Sequence, residues 1–253
     1  LEKWNVSNGN NFSYMFNGCK ELSEIKALEE WKVSKGTNFS YMFRSCEKLL
    51  KIEALEKWNV SKGTNFSYMF SRCLFSDIEP LKNWKLNNCE DFSYMFWGCN
   101  KLSDIEALKD WDVSNSITFK CMFHGCILLK NIKSLEKWKV SKCKNFACMF
   151  YKCKLLSDIK SLKDWRVSNG KTFSYMFYGC ESLKNIKGLE NWDVSRSQDF
   201  GNMFDNCTEL SDIESLKNWM VENCIDFSYM FNNCKNLSDI KSLENWKVAN
   251  GQY

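Results

Sequence analysis

Fourteen cysteines and one histidine are the side chains of this chain best suited to metal ligation or nucleophilic chemistry. Nine of the cysteines form one column: Cys19, Cys46, Cys73, Cys99, Cys126, Cys153, Cys180, Cys207 and Cys234. A structural zinc site draws its ligands from closely spaced pairs such as CxxC, and one thiol per 27 residues supplies none. Their regular place beside Phe and Met reads as buried thiols acting as small hydrophobes. So many free thiols suit a reducing or anaerobic setting. Cys121 and Cys148 differ, because they stand where Tyr stands in six other copies, and His124 follows Cys121 by three residues. A metal ion or a disulfide joining two turns is one reading of this trio, and drift in a tolerant surface column is the other. At most three ligands are visible there. The chain has no second His for a triad, no P-loop and no GxGxxG. The expectation is a protein that is not an enzyme and takes no cofactor.

Residues suited to binding are more numerous. One column reads Asn17, Arg44, Ser71, Trp97, His124, Tyr151, Tyr178, Asp205 and Asn232. Four consecutive copies thus carry Trp97, His124, Tyr151 and Tyr178, with Tyr94 and Tyr175 in the column beside them. A contiguous exposed aromatic strip is a contact surface; rings packed on one another laterally are the competing reading. A second candidate is a face charged in blocks. Glu53, Glu79 and Glu106 are flanked by Asp77 and Asp104, and are followed by Lys133, Lys160 and Lys187 with Lys130 and Lys184 nearby. Like charges stacked about 5 Å apart cost stability, so such a face suits a partner of complementary charge, or a solvated surface with counter-ions.

The elements that position these residues repeat. Trp4, Trp31, Trp58, Trp84, Trp111, Trp138, Trp165, Trp192, Trp219 and Trp246 step by 27 residues, except for 26 between Trp58 and Trp84. The shortfall lies after Cys73, where Phe75 arrives one place early. A period in the twenties falls in the leucine-rich-repeat range, where single units cannot bury a core and stacked neighbours do. Within each unit, Asn11, Asn38, Asn65, Asp91, Thr118, Asn145, Thr172, Asp199 and Asp226 are helix N-cap types. Phe12, Met15, Phe16 and Cys19 follow at i, i+3, i+4 and i+7, which predicts a short helix of two to three turns over residues 11–19. Residues 22–28 read as a short strand, with Trp31 and Val33 on the connection. Strand and helix in phase predict an α/β solenoid of about nine units, with one parallel sheet roughly 45 Å long and the helices on its opposite face. Gly9, Gly36, Gly63 and Gly170 share a column with Cys and Ser, so close packing rather than positive φ is the constraint expected there. Pro80, the one proline, should cap or bulge a strand.

Apolar (44%) and aromatic (15%) content exclude a disordered chain, and no apolar run reaches the roughly 18 residues of a membrane span. A net charge of +4 with interleaved signs carries no specific nucleic-acid signal. Because Leu1 and Tyr253 both fall inside a repeat, residues 1–253 read as one solenoid excerpted from a longer chain without its terminal caps.

The pattern Trp-x-Val-Ser-x-Gly-x-Asn-Phe-Ser-x-Met-Phe-x-Gly-Cys-x-x-Leu-x-x-Ile of residues 4–25 resembles the BspA-like leucine-rich repeat. It is most similar to the variant of mycoplasma-type surface lipoproteins, with extra residues around Gly9 and Ala27. The resemblance covers the whole chain. It implies a solenoid displayed at the cell surface or secreted, with a protein or host-matrix partner and no common catalytic site. An intracellular scaffold of the same fold, favoured by the free thiols, and a head-to-tail self-assembling array are the alternatives.

Overall fold

The computed structural model describes residues 4–248; Leu1 and Tyr253 lie outside them. The chain winds as stacked coils, and each coil is taken to begin at its Trp: coil 1 is residues 4–30, coil 5 residues 111–137, coil 9 residues 219–245. The repeat solenoid is as expected, but its elements are not. Among the described residues there is no α-helix and no extended strand. Coils meet instead through isolated parallel bridges such as Asn38↔Asn65 and Thr118↔Asn145.

The segment expected to be helical is a run of tight turns. In coil 2, Met42 N–H donates to Phe39 O, Arg44 N–H to Tyr41 O and Cys46 N–H to Phe43 O, each three residues back. The alternate donors leave the coil: Phe39, Tyr41, Phe43 and Ser45 N–H reach the carbonyls of Asn65, Ser67, Met69 and Ser71 in coil 3. Two positions enforce this. The Tyr column, from Tyr14 to Tyr229, has φ between 56° and 61° in every coil, Cys121, Cys148 and Asn202 included. Four residues on, Gly18, Ser45, Arg72, Gly98 and their equivalents are also left-handed. An L-residue in that region cannot continue an α-helix. The Asn/Asp/Thr column does accept a local N–H, as expected of its type, but from the residue two ahead: Asn38 Oδ1 takes Ser40 N–H at 3.0 Å and Asp91 Oδ1 takes Ser93 N–H at 2.7 Å. These are Asx turns, not helix caps.

The half expected to be a strand carries a one-turn 3-10 helix, Lys26–Leu28 in coil 1 and Lys160–Leu162 in coil 6. Pro80 sits inside the equivalent turn Glu79–Leu81, so it bulges no strand. Coil 7 lacks this turn: Gly188 adopts φ +117°, and a Cβ there would lie 2.4 Å from Ile159 O. Gly36, by contrast, needs no unusual φ; its added Cβ would lie 2.4 Å from the Phe39 ring, so close packing is its constraint.

The core fills the space between the two halves. Phe39, Met42, Phe43, Cys46, Leu49, Ile52 and Leu55 are all buried, and so is Trp58, which belongs to the core rather than to a connection. Rings form ladders along the axis: Phe43 to Phe70 at 5.9 Å, Trp31 to Trp58 at 6.4 Å. Each Trp Nε1–H from Trp58 to Trp246 donates to a Leu carbonyl 29 or 30 residues back, just over one period earlier, for example Trp138 to Leu108 O at 3.0 Å. The column cysteines do the same with their thiols, as Cys126 to Phe96 O at 3.4 Å. In the 26-residue coil, Phe75 replaces Leu and packs edge-on against Phe70 at 5.4 Å, filling what the missing residue leaves.

Candidate binding faces

The turns project two ring columns away from the core. Tyr14, Tyr41, Tyr68 and Tyr94 stack at 4.4, 4.4 and 4.2 Å. Where the column changes to Cys121 and Cys148, the neighbouring column takes over. Trp97 lies 5.7 Å from His124, His124 stacks on Tyr151 at 4.2 Å, and Tyr151 stacks on Tyr178 at 4.4 Å. Tyr94 meets Trp97 edge-on at 6.4 Å, and Tyr175 lies 5.8 Å from Tyr178. All six predicted residues therefore join one surface over coils 4 to 7. Lateral packing and outward display hold together: the rings are half-buried against each other, with Tyr175 the most open. Arg72 caps the strip with its guanidinium 4.5 Å over the Trp97 ring.

Burial within this stack lowers the His124 pKa from 6.5 to about 4, with Lys152 adding to the effect, so the ring is neutral at physiological pH. Its Nδ1 is buried and has no hydrogen-bond partner. The Cys148 thiol is the main influence drawing the Cys121 pKa down, and Cys121 in turn pushes that of Cys148 up. Both thiols are free, and no cluster of three or more His, Cys, Asp or Glu able to hold a metal is present among the described residues. The column cysteines are free as well. Burial raises the pKa of those from Cys46 to Cys234, to about 12 for Cys46.

The charged face is formed by the 3-10 turns rather than by a sheet. Glu53, Glu79, Glu106, Lys133 and Lys160 each open a turn, and Lys187 holds the same place in coil 7. Asp77 and Asp104 are tied down locally, accepting the Glu79 and Glu106 N–H at 2.8 Å. The acidic block is partly neutralised within its own turns, where Glu79 pairs with Lys82 at 2.6 Å and Glu106 with Lys109 at 3.0 Å. The basic block is not, and it lines a groove of about 790 Å3.

The chain matches the family described as "Mycoplasma protein of unknown function, DUF285" over residues 1–104, 74–186 and 156–253. The chain belongs to that family. The match spans every coil and bears out the resemblance carried by residues 4–25. No curated protein matches. Among solved structures, the chain is similar to a leucine-rich repeat protein from Bacteroides ovatus, at 17% identity and a TM-score of 0.40 over 90% of this chain and 75% of that one. It is also similar to a leucine-rich repeat protein from Eubacterium ventriosum, at 14% identity and 0.30 over 81% and 75%. No described helix is long and apolar enough to cross a membrane.

The sequence brought out the ring columns and charge blocks, and it missed the side-chain bonds between coils. A donor of one kind at one place in every repeat, Trp Nε1–H or Cys S–H, was the signal available for them.

Proposed function

We propose that this DUF285 chain is a non-enzymatic, protein-binding solenoid displayed at a cell surface, with the strip Trp97–His124–Tyr151–Tyr178, Tyr94 and Tyr175 as its contact surface. The observation that carries the reading is the continuous stack itself. Rings already held by their neighbours lose little conformational freedom on binding, and aromatic anchors dominate interface energetics. Surface display is compatible with the thiols, because twelve of the fourteen are buried and have no route to an oxidant.

Trp97→Asn with Tyr151→Asn tests the surface, since Asn17 and Asn232 occupy the same column in coils 1 and 9. Binding of the labelled chain to host-cell monolayers should fall at least tenfold in the double variant, which loses its ring contacts and melts lower than the parent but stays folded at the assay temperature by circular dichroism. Equal binding by both proteins, or none by either, would overturn the proposal. An intracellular scaffold is the second reading, favoured by the number of free thiols. Protease treatment of intact cells separates the two, because only a displayed chain is cut.

A further inference from the structure

The 3-10 face carries one region that its own charges do not satisfy. The first and fourth positions of each turn set its charge. Where Glu is first and Lys fourth, the two pair: Glu79 with Lys82, Glu106 with Lys109, Glu214 with Lys217. Coil 6 has Lys at both positions, Lys160 and Lys163, and is alone in this among the nine coils. In coils 5 and 7 the order is reversed, Lys133 before Glu136 and Lys187 before Glu190. Reversed pairs do not bridge here, in line with the better geometry of an acid placed N-terminal to its base. Glu190 is committed elsewhere, its Oε2 accepting Gly188 N–H at 2.6 Å. Lys133, Lys160, Lys163 and Lys187 thus have no ion-pair partner among the described residues, and all four line the same groove.

The groove also departs from the repeat in shape. Coil 7 has no 3-10 turn, and its Gly188 lies so close to coil 6 that an added Cβ would sit 2.9 Å from Lys160 Cα. The backbone is pinched where a side chain would otherwise stand, beside Ser161 and the buried Ile132. The result is a cleft of about 790 Å3 over Ile132, lined by four ammonium groups and three carboxylates, of which Asp158 and Glu190 are each held by a backbone N–H, of Lys160 at 2.9 Å and Gly188 at 2.6 Å.

We propose that this groove binds an extended acidic segment of a partner protein, Glu- or Asp-rich and unmodified. Lys133, Lys160 and Lys187 step along the axis by one coil each, about 5 Å per step, so together they span about 10 Å, the length of three extended residues. The ammonium groups meet side-chain carboxylates, while Glu136 and Asn191 at the margins suit peptide N–H and C=O groups. A second copy of this chain is the poorer occupant, because Glu79 and Glu106 of the acidic block are already paired. The site lies on a different half of each coil from the aromatic strip, so it stands whether or not that strip binds a partner.

Fluorescence anisotropy on the 253-residue chain tests this, with a labelled ten-residue Glu/Gly/Ser peptide, its Lys counterpart and its phosphoserine counterpart. The Glu peptide should bind and the Lys peptide should not, and binding should weaken at least tenfold between 50 mM and 500 mM salt, on the order of the screening expected for exposed charges. Lys160→Glu with Lys163→Glu should reduce affinity at least tenfold. Lys85→Glu with Lys62→Glu, the same charge change outside the groove, should leave it within about twofold. The milder Lys133→Gln with Lys187→Gln should fall between, which guards against misfolding as the cause. Equal loss in the control variant, binding of the phosphoserine peptide alone, or salt-sensitive dimerisation in sedimentation without peptide binding would each overturn the proposal.

Discussion

Replacing Trp138 by Phe isolates the side-chain bond that ties one turn of the solenoid to another. Trp138 is 3% exposed, donates to Leu108 O at 3.0 Å, and stacks on Trp165 at 6.5 Å. Leu108 O keeps its second donor, Trp111 N–H at 3.2 Å, so the carbonyl is not orphaned. The lost hydrogen bond is then worth about 1 kcal/mol. The smaller ring gives up roughly 40 Å2 of buried apolar area, about another 1 kcal/mol. The cavity left in a core that relaxes only partly adds about 1 kcal/mol more. The expected loss is about 3 kcal/mol, and its place in the array decides how it is felt. Trp246 makes the same bond, to Leu216 O at 2.9 Å, but in a half-buried setting just past coil 9, the last coil described in full. In a one-dimensional array such a coil frays on its own. Urea titration followed by far-UV circular dichroism should therefore show Trp138→Phe lowering the main transition, and Trp246→Phe costing about 1 kcal/mol or less. Equal losses in the two variants, or a loss under about 1 kcal/mol at Trp138, would refute the reasoning from inter-coil bonds.

Three further outcomes are expected. Tyr229 has φ 57° and is 67% exposed, with no ring stacked on it among the described residues. Tyr229→Asn should therefore stabilise by up to about 1 kcal/mol. Tyr41→Asn should not, because Tyr41 stacks on Tyr14 and Tyr68 at 4.4 Å each, and losing two such contacts outweighs the relief; thermal melts of the pair decide it. His124 takes up its proton near pH 4 when folded and near 6.5 when unfolded, so its contribution to stability is complete above 6.5 and is lost as pH falls towards 4. His124→Asn should remove that part of the pH dependence, and an imidazole titrating near 6.5 by NMR in the folded chain would contradict it. With a thiol reagent, Cys19 should react at once and half-buried Cys148 more slowly, the other twelve only on unfolding; rapid reaction of the column thiols would show that the core is not sealed.

The identity of the core was legible in the sequence while the element that carries it was not. Phe39, Met42, Phe43 and Cys46 are fully buried, as their i, i+3, i+4, i+7 spacing implied. A chain of tight turns, each closing three residues back, puts the same residues on one side as an α-helix does, so periodicity alone could not separate them. The separating signal lay in the column Gly18, Gly98, Gly125, Gly179, Asn206 and Asn233, types that tolerate φ > 0 at the end of the supposed helix. The Tyr column gave no such warning, because Tyr has no preference for a left-handed backbone and is held there by its inter-coil bonds and stacked rings. The six candidate ring residues come together in one stack, packed laterally on one another. The charge blocks did so only in part, since local pairing of Glu79 and Glu106 depends on the turn, which the strand assignment hid.

The inter-coil bonds also account for where the repeats are free to differ. Each Trp from Trp58 on and each column Cys from Cys46 on passes a hydrogen bond to a carbonyl 29 or 30 residues back, and the Asn, Asp and Thr side chains each satisfy a backbone donor in every coil. A substitution at any of these breaks a contact that its neighbours share, so the first two columns hold only Trp and only Cys, and the third only residues with a side-chain oxygen acceptor. The column of Asn17, Trp97, His124 and Asp205 passes no bond of that shared kind, nor do the first and fourth positions of the 3-10 turns. Those places change identity from coil to coil while the backbone stays the same. They are also the places that display the aromatic strip and the lysine groove. Physical freedom and recognition therefore coincide: what distinguishes coils 5 to 7 from their neighbours is written in the columns that the solenoid does not need in order to stand.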